Sequence, residues 1–219
     1  MRLGILADVH EHLGHLRAAL DAFRAEGVDR VVLVGDLFEL GRRLDAAVAL
    51  FDGFQVEGVW GNHDFLVCET PEADLRGQYA PATVDLLKRL RPRLAVDGFH
   101  FVHVDPWLDP EKLEDLWYFD DQPWYRQPPV AVGERLGRIF GADDHPVTLI
   151  GHYHRWLLAT PEGLTDWSGD RPVEFPEGTR FLVIIQAAWE GGCAILDTVA
   201  RRLHPLDVRG RGGGVGGKA

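Results

Sequence analysis

The sequence predicts a mixed α/β fold that contains two β-sheets, and three observations support this prediction. From the N-terminus to Asp64, short aliphatic runs alternate with amphipathic helical segments, which is typical of parallel strands joined by helices. After residue 146 the apolar runs follow one another over short polar connections, which favours a second, mostly antiparallel sheet. The 219 residues suffice for one full hydrophobic core but not for two independent domains, so we expect residues 1–208 to form a single domain.

The N-terminal part is predicted to run strand, helix, strand, helix, strand. Buried strands are expected at "RLGILAD", "RVVLVGD" and "FQVEGVWGNHD", because each is a short aliphatic run that stops at polar residues. Between the first two, Leu13, Leu16, Leu20 and Phe23 recur at helical spacing, and Gly27 suits the end of that helix. The second helix is expected at "RRLDAAVALFDGF", with its apolar residues facing inward.

The rest of the chain mixes helices with further strands. A helix interrupted near Pro81 is followed by "RLAVDGFHFVHV", a predicted hairpin that turns at Asp97 and Gly98. Residues 105–146 are rich in aromatic residues and proline, and we expect them to form a helical, cap-like insertion. The strands of the second sheet are expected at "VTLIGHYH", "RWLLAT", "RFLVIIQA", "CAILD" and "RRLHPLDV". The glycine-rich tail, 209–219, is expected to be disordered.

Composition excludes several classes of protein. No apolar stretch reaches the roughly 20 residues of a membrane helix, and the N-terminal apolar run is too short for a signal peptide. Two cysteines give no disulfide framework, so we expect a soluble, cytoplasmic protein. A net charge of −11 disfavours binding of extended nucleic acid, although a small anionic substrate held by metal ions is compatible with it.

The predicted strands end in residues of the kinds that bind metal ions: Asp8, His10, Asp36, Asn62, His63, Asp64, His103, His152 and His154. If strand alternation continued beyond "VTLIG", the last two histidines would point to the same side. Carboxylate, imidazole and amide ligands suit Mn, Fe, Zn or Mg, and there are more ligands than one ion needs. Two ions about 4 Å apart form the clamp used in phosphoester hydrolysis, so two divalent ions are expected. Glycines before three of these residues suit sharp turns or close backbone approach.

The ordered set "DVH", "GD", "GNHD", a lone histidine and "GHYH" resembles the calcineurin-like metallophosphoesterases, over nearly the whole chain. "GDLFELG" and "GNHD" place it closest to the small bacterial and archaeal phosphodiesterase group. It departs from that group where Val104 and Asp105 precede Pro106, and where "VIIQAAWEGG" lacks an Asn-Pro-Gly-Ser turn. The resemblance implies a two-sheet mixed β-sandwich flanked by helices. It also implies hydrolysis of a phosphodiester or phosphomonoester by in-line attack of a metal-bridging hydroxide.

The resemblance also implies roles for individual residues. Seven side chains would hold the two ions: Asp8, His10 and His154 the first, Asn62, His103 and His152 the second, and Asp36 both. His63 would stabilise developing charge or protonate the leaving oxygen, with Asp64 orienting it. Manganese is the preferred ion, with Fe, Zn, Ni or Mg as alternatives.

Several residues have two readings. His100 competes with His103 for the lone-histidine role, but His103 is nearer the end of its strand. His12 and Arg155 are candidates for substrate binding, against a simple cap and ordinary surface charge. Six aromatic residues could stack on a nucleobase or pack the insertion against the sheet: Trp107, Trp117, Tyr118, Phe119, Trp124 and Tyr125.

Three functions are consistent with these motifs. The first is a phosphodiesterase acting on a small phosphoester, nucleotides included. The second is a phosphomonoesterase acting on nucleotides or phosphoproteins with the same site. The third is a non-catalytic protein-binding scaffold of the same fold, for which loss of metal ligands or of the "GNH" histidine is expected; this chain retains both.

Overall fold

Two six-stranded sheets pack face to face in the computed structural model, which describes residues 1–119 and 122–210. The strands are β1 (Arg2–Leu6), β2 (Arg30–Val34), β3 (Gln55–Val59), β4 (Leu94–Val96), β5 (Phe99–Phe101), β6 (Val147–Ile150), β7 (Leu157–Thr160), β8 (Gly163–Leu164), β9 (Val173–Glu174), β10 (Phe181–Ile184), β11 (Gly192–Asp197) and β12 (Arg202–Asp207). The helices are α1 (Leu13–Ala25), α2 (Leu44–Leu50), α3 (Phe65–Glu69), α4 (Glu72–Arg76), α5 (Pro81–Leu87), α6 (Leu113–Leu116) and α7 (Pro129–Ala142), with 3-10 turns at Trp124–Arg126 and Ala188–Glu190. Most of the predicted disordered tail, residues 211–219, lies outside the described residues.

The first sheet has the order β3-β2-β1-β11-β12-β9, and the second β4-β5-β6-β10-β7-β8. As predicted, β1, β2 and β3 are parallel. The assignment of β11 and β12 to the second sheet is wrong. β11 pairs antiparallel with β1, and β12 pairs antiparallel with β11, so both belong to the first sheet. Every residue of β11 before Asp197 is buried, as a central strand requires. Within the mostly antiparallel C-terminal part, β6 is the exception, since it runs parallel to both β5 and β10.

Apolar side chains form three layers of core. One lies between the sheets, where Ile5, Phe99 and Val183 are fully buried. A second lies between the first sheet and α1, α2 and α5. The third lies between the second sheet and α7, which buries Leu136 and Ile139 on one helical face. The fold is therefore the predicted mixed β-sandwich flanked by helices.

Local predictions account for most elements. Asp97 and Gly98 both have positive φ, as a two-residue hairpin turn between β4 and β5 requires. Pro81 begins α5 and separates it from α4, which is the predicted interruption. Within the described residues both cysteines are buried and neither forms a disulfide, and no helix has the length and hydropathy needed to cross a bilayer.

Candidate metal centre

The carboxyl ends of β1, β2, β3, β5 and β6 meet at one edge of the sandwich, and the predicted ligands follow each of these strands. Parallel strands place their carboxyl ends together, so residues far apart in sequence become neighbours there. Of the predicted ligands, Asp8, Asp36 and His103 are almost completely buried. All seven predicted ligands are brought into one cluster.

The first predicted ligand group is Asp8, His10 and His154. Nε2 of His154 lies 3.4 Å from Oδ1 of Asp8, and Nε2 of His10 lies 3.8 Å from Oδ2 of Asp36. One ligand atom from each of Asp8, His10 and His154 can be chosen so that all lie within 4.8 Å of one another. The three side chains are thus close enough to share one ion.

The second predicted group surrounds Asn62. Its Oδ1 lies 3.1 Å from Nε2 of His103 and 3.1 Å from Nδ1 of His152. Nε2 of His103 also lies 3.3 Å from Oδ2 of Asp36, so the latter carboxylate stands between the two groups. The Nδ1–H of His103 donates to the Val34 carbonyl oxygen at 2.8 Å, which leaves Nε2 facing the cluster.

His100 points away from this cluster. Its Nδ1 lies 2.5 Å from the Asp143 carboxylate at the end of α7, and its ring stacks on His145. The structure therefore places His103, and not the competing His100, beside Asp36 and Asn62.

The backbone at the cluster is strained. In the described part of the chain, eight non-glycine residues have positive φ, and five of them are predicted ligands: Asp8, His10, Asp36, His152 and His154. Such conformations cost free energy and concentrate at functional sites. Because β6 ends at Ile150, left-handed turns rather than strand alternation bring the last two histidines to the cluster.

Two glycines make the cluster possible by close approach. A Cβ at Gly35 would overlap the His103 ring, and one at Gly61 would overlap the Asp36 carboxylate. Gly35 also has a φ of +86°, which other residues rarely adopt. The glycine pattern in the sequence therefore has the predicted cause.

The cluster's electrostatics favour a bound cation. Burial disfavours the charged form of His103, but the Asp36 carboxylate outweighs it and raises the pKa of that imidazole to about 10. Burial and the charge of His103 lower the pKa of His152 to about 3. Two buried carboxylates thus attract positive charge, and Nε2 of His10 is buried without a hydrogen-bond partner among the described residues. This mixture of carboxylate, imidazole and amide donors fits divalent metal ions.

His63 lies at the rim of the cluster, and Asp64 follows it in the chain. Oδ1 and Oδ2 of Asp64 accept backbone N–H groups of Leu37, Phe38 and Gly61 at 2.8–3.3 Å. The Asp64 carboxylate thus binds the backbone and holds the loop after β2, and its role in orienting His63 stays a prediction. Burial, reinforced by the Asp36 charge, raises the pKa of Asp64 to about 6.

Glu39 is a carboxylate neighbour of His63. Its Oε2 lies 2.7 Å from Nδ1 of His10 and 3.4 Å from Nδ1 of His63. One carboxylate thus contacts a predicted ligand and the predicted acid at once. This role of Glu39 was not predicted from the sequence. The only feature that could have indicated it is the position of Glu39 on a loop, three residues after Asp36.

A second missed carboxylate shapes that loop. Glu11 is buried, and its oxygens accept the backbone N–H groups of Glu39, Gly41 and Arg43 at 2.6–3.1 Å. These hydrogen bonds fix the path of the segment that carries Glu39.

The two residues predicted to bind substrate, His12 and Arg155, lie in different surroundings. His12 caps α1 and lines a cavity of about 400 Å³ beside the cluster, together with His10, Glu39, His63, His154 and Trp189. Arg155 is not among these lining residues, since its guanidinium lies over the Tyr125 ring at 4.2 Å. The structure therefore gives Arg155 a packing contact in the insertion.

Some aromatic residues of the insertion are buried, and others are exposed beside the cluster. Trp124 is buried beneath α7 and packs with Tyr125 and Tyr153. Trp117 and Phe119 are exposed, the first 5.2 Å from the His63 ring and the second stacked on His152 at 4.5 Å. Trp124 and Tyr125 therefore pack the segment, whereas stacking of Trp117 and Phe119 on a nucleobase stays a prediction.

Comparison with known proteins identifies the family. Residues 1–165 match the family model of the calcineurin-like phosphoesterase superfamily domain. The chain belongs to this superfamily, as its motifs predicted.

Individual relatives are distant. A curated relative, phosphodiesterase MJ0936 of Methanocaldococcus jannaschii, is 26% identical over 107 residues, which is 48% of this chain and 54% of that protein. The match thus spans about half the length of the curated relative. The metallophosphoesterase from Sphaerobacter thermophilus superposes with a TM-score of 0.69 at 22% identity, covering 94% of this chain and 88% of that one. An archaeal phosphodiesterase superposes with a TM-score of 0.51 at 16% identity, covering 94% and 99%. At these identities the two structures establish the shared fold.

Proposed function

We propose that the protein is a dinuclear metal-dependent phosphodiesterase. The observation that carries the proposal is the convergence, from five strand ends, of seven side chains of the kinds that bind metal ions, among them the fully buried Asp8 and His103. Burying so many ionisable groups is costly unless a cation balances them. In the proposal Asp8, His10 and His154 hold one ion, and Asn62, His103 and His152 the other. Asp36 would help to hold both.

Two divalent ions bound there would supply positive charge to the phosphoryl oxygens and lower the pKa of water. The chain's own residues supply the remaining steps. His63, at the rim, is placed to give a proton to the leaving ester oxygen, a role suited to imidazole near neutral pH. Glu39 keeps its ring oriented through Nδ1, and the backbone contacts of Asp64 hold the loop beneath.

A diester fits the site better than a monoester. A phosphomonoester carries close to a second negative charge at neutral pH. Within the described part of the chain, the residues that line the cavity include the Glu39 carboxylate and no lysine or arginine. The additional charge of a monoester would find no lysine or arginine partner there. The curated relative is also named a phosphodiesterase.

Initial rates on bis(p-nitrophenyl) phosphate and p-nitrophenyl phosphate test the proposal. Metal-stripped protein should be inactive and should recover with Mn, Ni, Zn or Mg, with the diester preferred. His63→Ala should lower the diester rate by about 100-fold or more with metal content unchanged. His204→Ala, a histidine on β12 away from the cluster, is the matched control. No turnover with any metal, despite binding of two ions, would instead favour the scaffold reading.

A further inference from the structure

Trp189 is an exposed indole beside the metal centre. The chain has seven tryptophans, and in the described residues Trp60, Trp124, Trp156 and Trp167 are all buried to 8% exposure or less. Trp189 retains 39% exposure. Indole surface left in water forfeits hydrophobic stabilisation, so its position calls for an explanation.

The backbone that carries the indole is anchored on two sides. Its short 3-10 turn is anchored to the ligand loop after β1, because the N–H of Ala188 donates to Ala7 O at 2.7 Å and that of Trp189 to Asp8 O at 3.1 Å. From α1, the Nδ1–H of His15 donates to the Trp189 carbonyl oxygen at 2.7 Å. The backbone of Trp189 is therefore fixed relative to Asp8 before any ligand arrives, which lowers the entropy lost on binding.

The indole also faces the metal cluster. Its ring packs edge-on against the His154 ring at 5.9 Å, with Nε1 3.4 Å from Nδ1 of His154. It forms one wall of the cavity of about 400 Å³, whose size falls within the range of small-ligand sites. A molecule whose phosphate reached the cluster would have its attached group against this wall.

The lining of the cavity indicates what that group is. Its residues supply imidazole and indole rings and a single carboxylate, and none of those described is a lysine or arginine. Further phosphates would meet no permanently charged cation on this surface, which disfavours polyphosphate substrates. Aromatic faces instead stack on planar rings, at a gain that is tolerant of base identity.

We propose that Trp189 forms a subsite for a planar aromatic or heteroaromatic ester group, such as a nucleobase, on the phosphodiester bound at the metal centre. This inference rests on the proposed function, because it assumes that the phosphate occupies the cluster.

Calorimetric titration of the Mn-loaded protein with thymidine 5′-phosphate and with methyl phosphate tests the subsite, since the two differ only in the attached group. Wild type should prefer the nucleotide. Trp189→Ala should weaken nucleotide binding about tenfold and leave methyl phosphate unchanged, while Trp189→Phe should retain most of the preference. Val199→Ala, which shortens an exposed apolar side chain between β11 and β12 at the opposite end of β1, is the control and should leave the preference intact.

Three results would overturn the subsite: equal losses for both ligands in Trp189→Ala, a wild type without preference, or a wild type that binds neither. Turnover of thymidine 5′-(p-nitrophenyl) phosphate separates this inference from the proposed function. Preferential nucleotide binding without turnover would contradict the proposed hydrolase function but would still support the Trp189 subsite. Turnover together with an unchanged nucleotide preference in Trp189→Ala would support the hydrolase function and contradict the subsite.

Discussion

The buried ion pair between Arg135 and Asp105 allows a demanding test of how the site is held together. Nε and Nη2 of Arg135, on α7, lie 2.7 and 2.6 Å from Oδ2 of Asp105, and Nη2 also donates to the Tyr153 hydroxyl at 3.2 Å. Asp105 follows His103 by two residues, and Tyr153 lies between His152 and His154. The pair therefore fastens both histidine-bearing loops to the same helix.

Arg135→Met removes the guanidinium and leaves the Asp105 carboxylate without that cationic partner, with the Trp107 indole N–H, 3.3 Å from Oδ2, as a remaining donor. Asp105 is fully buried and Arg135 only 7% exposed, so water cannot replace the lost partner. Two unit charges about 4 Å apart interact by about 4 kcal/mol at an effective dielectric constant near 20, and breaking such buried pairs typically costs about 3–5 kcal/mol. For a chain of this size that lowers the Tm by about 6–20 °C.

The variant should also become pH-sensitive. Burial raises the pKa of Asp105 even with Arg135 alongside, and loss of Arg135 raises it further. A carboxyl whose folded-state pKa lies above its unfolded value loses stability as pH rises through the folded pKa. The deficit of Arg135→Met should therefore grow as pH rises above about 4, the ordinary pKa of an aspartate.

Urea unfolding of the single variant and of Arg135→Met with Asp105→Asn measures these effects. The second change removes the stranded charge, so the double variant should recover much of the loss. Arg76→Met, which breaks an exposed pair of similar length with Glu72, is the matched control and should leave the midpoint unchanged. A single-variant loss below about 1 kcal/mol, the size typical of exposed pairs, would refute the reasoning. So would a double variant no more stable than Arg135→Met.

Three further predictions concern other carboxylates. Glu39→Gln should lower kcat for the diester by about 10- to 100-fold while the fold stays intact, because outer partners orient ligands and acids; unchanged kcat with normal circular dichroism would contradict this. Asp36→Asn should reduce bound metal below one equivalent per chain by atomic emission, and retention of two ions would remove Asp36 from its proposed role. Although burial opposes it, hydrogen bonds from His100, Thr148 and His145 hold the pKa of Asp143 well below its usual range. That carboxylate therefore stabilises the fold at neutral pH and loses this contribution as pH falls below about 4. Asp143→Asn should be less stable at pH 7 and should show a smaller decline in urea midpoint at low pH, and parallel pH profiles would exclude the effect.

Local patterns in the sequence predicted the strands and helices, because periodicity, proline and turn residues act over a few positions. The sheet that a strand joins could not be predicted from its local sequence. β11 was assigned to the wrong sheet because nothing in "CAILD" specifies whether β1 or β10 is its partner. Only the completed core, in which β1 needs a second neighbour, decides it.

At the candidate site, too, local features could be predicted from the sequence and features set by distant contacts could not. Glycines beside Asp36 and Asn62 and the two nearby histidines of "GHYH" were visible in the sequence, because close approach and metal chemistry restrict residue type. Glu39 and Trp189 were not. Each reaches the cluster from a loop or 3-10 turn whose course depends on distant backbone contacts, such as those of Glu11 and Ala7.

The most direct test of the central claim is a titration of metal-stripped protein with Mn²⁺, following the initial rate on bis(p-nitrophenyl) phosphate against equivalents of metal bound. If the seven side chains form a dinuclear hydrolytic centre, activity should rise from zero and reach its plateau at two ions per chain. Full activity without metal, or a plateau at a single ion, would contradict it.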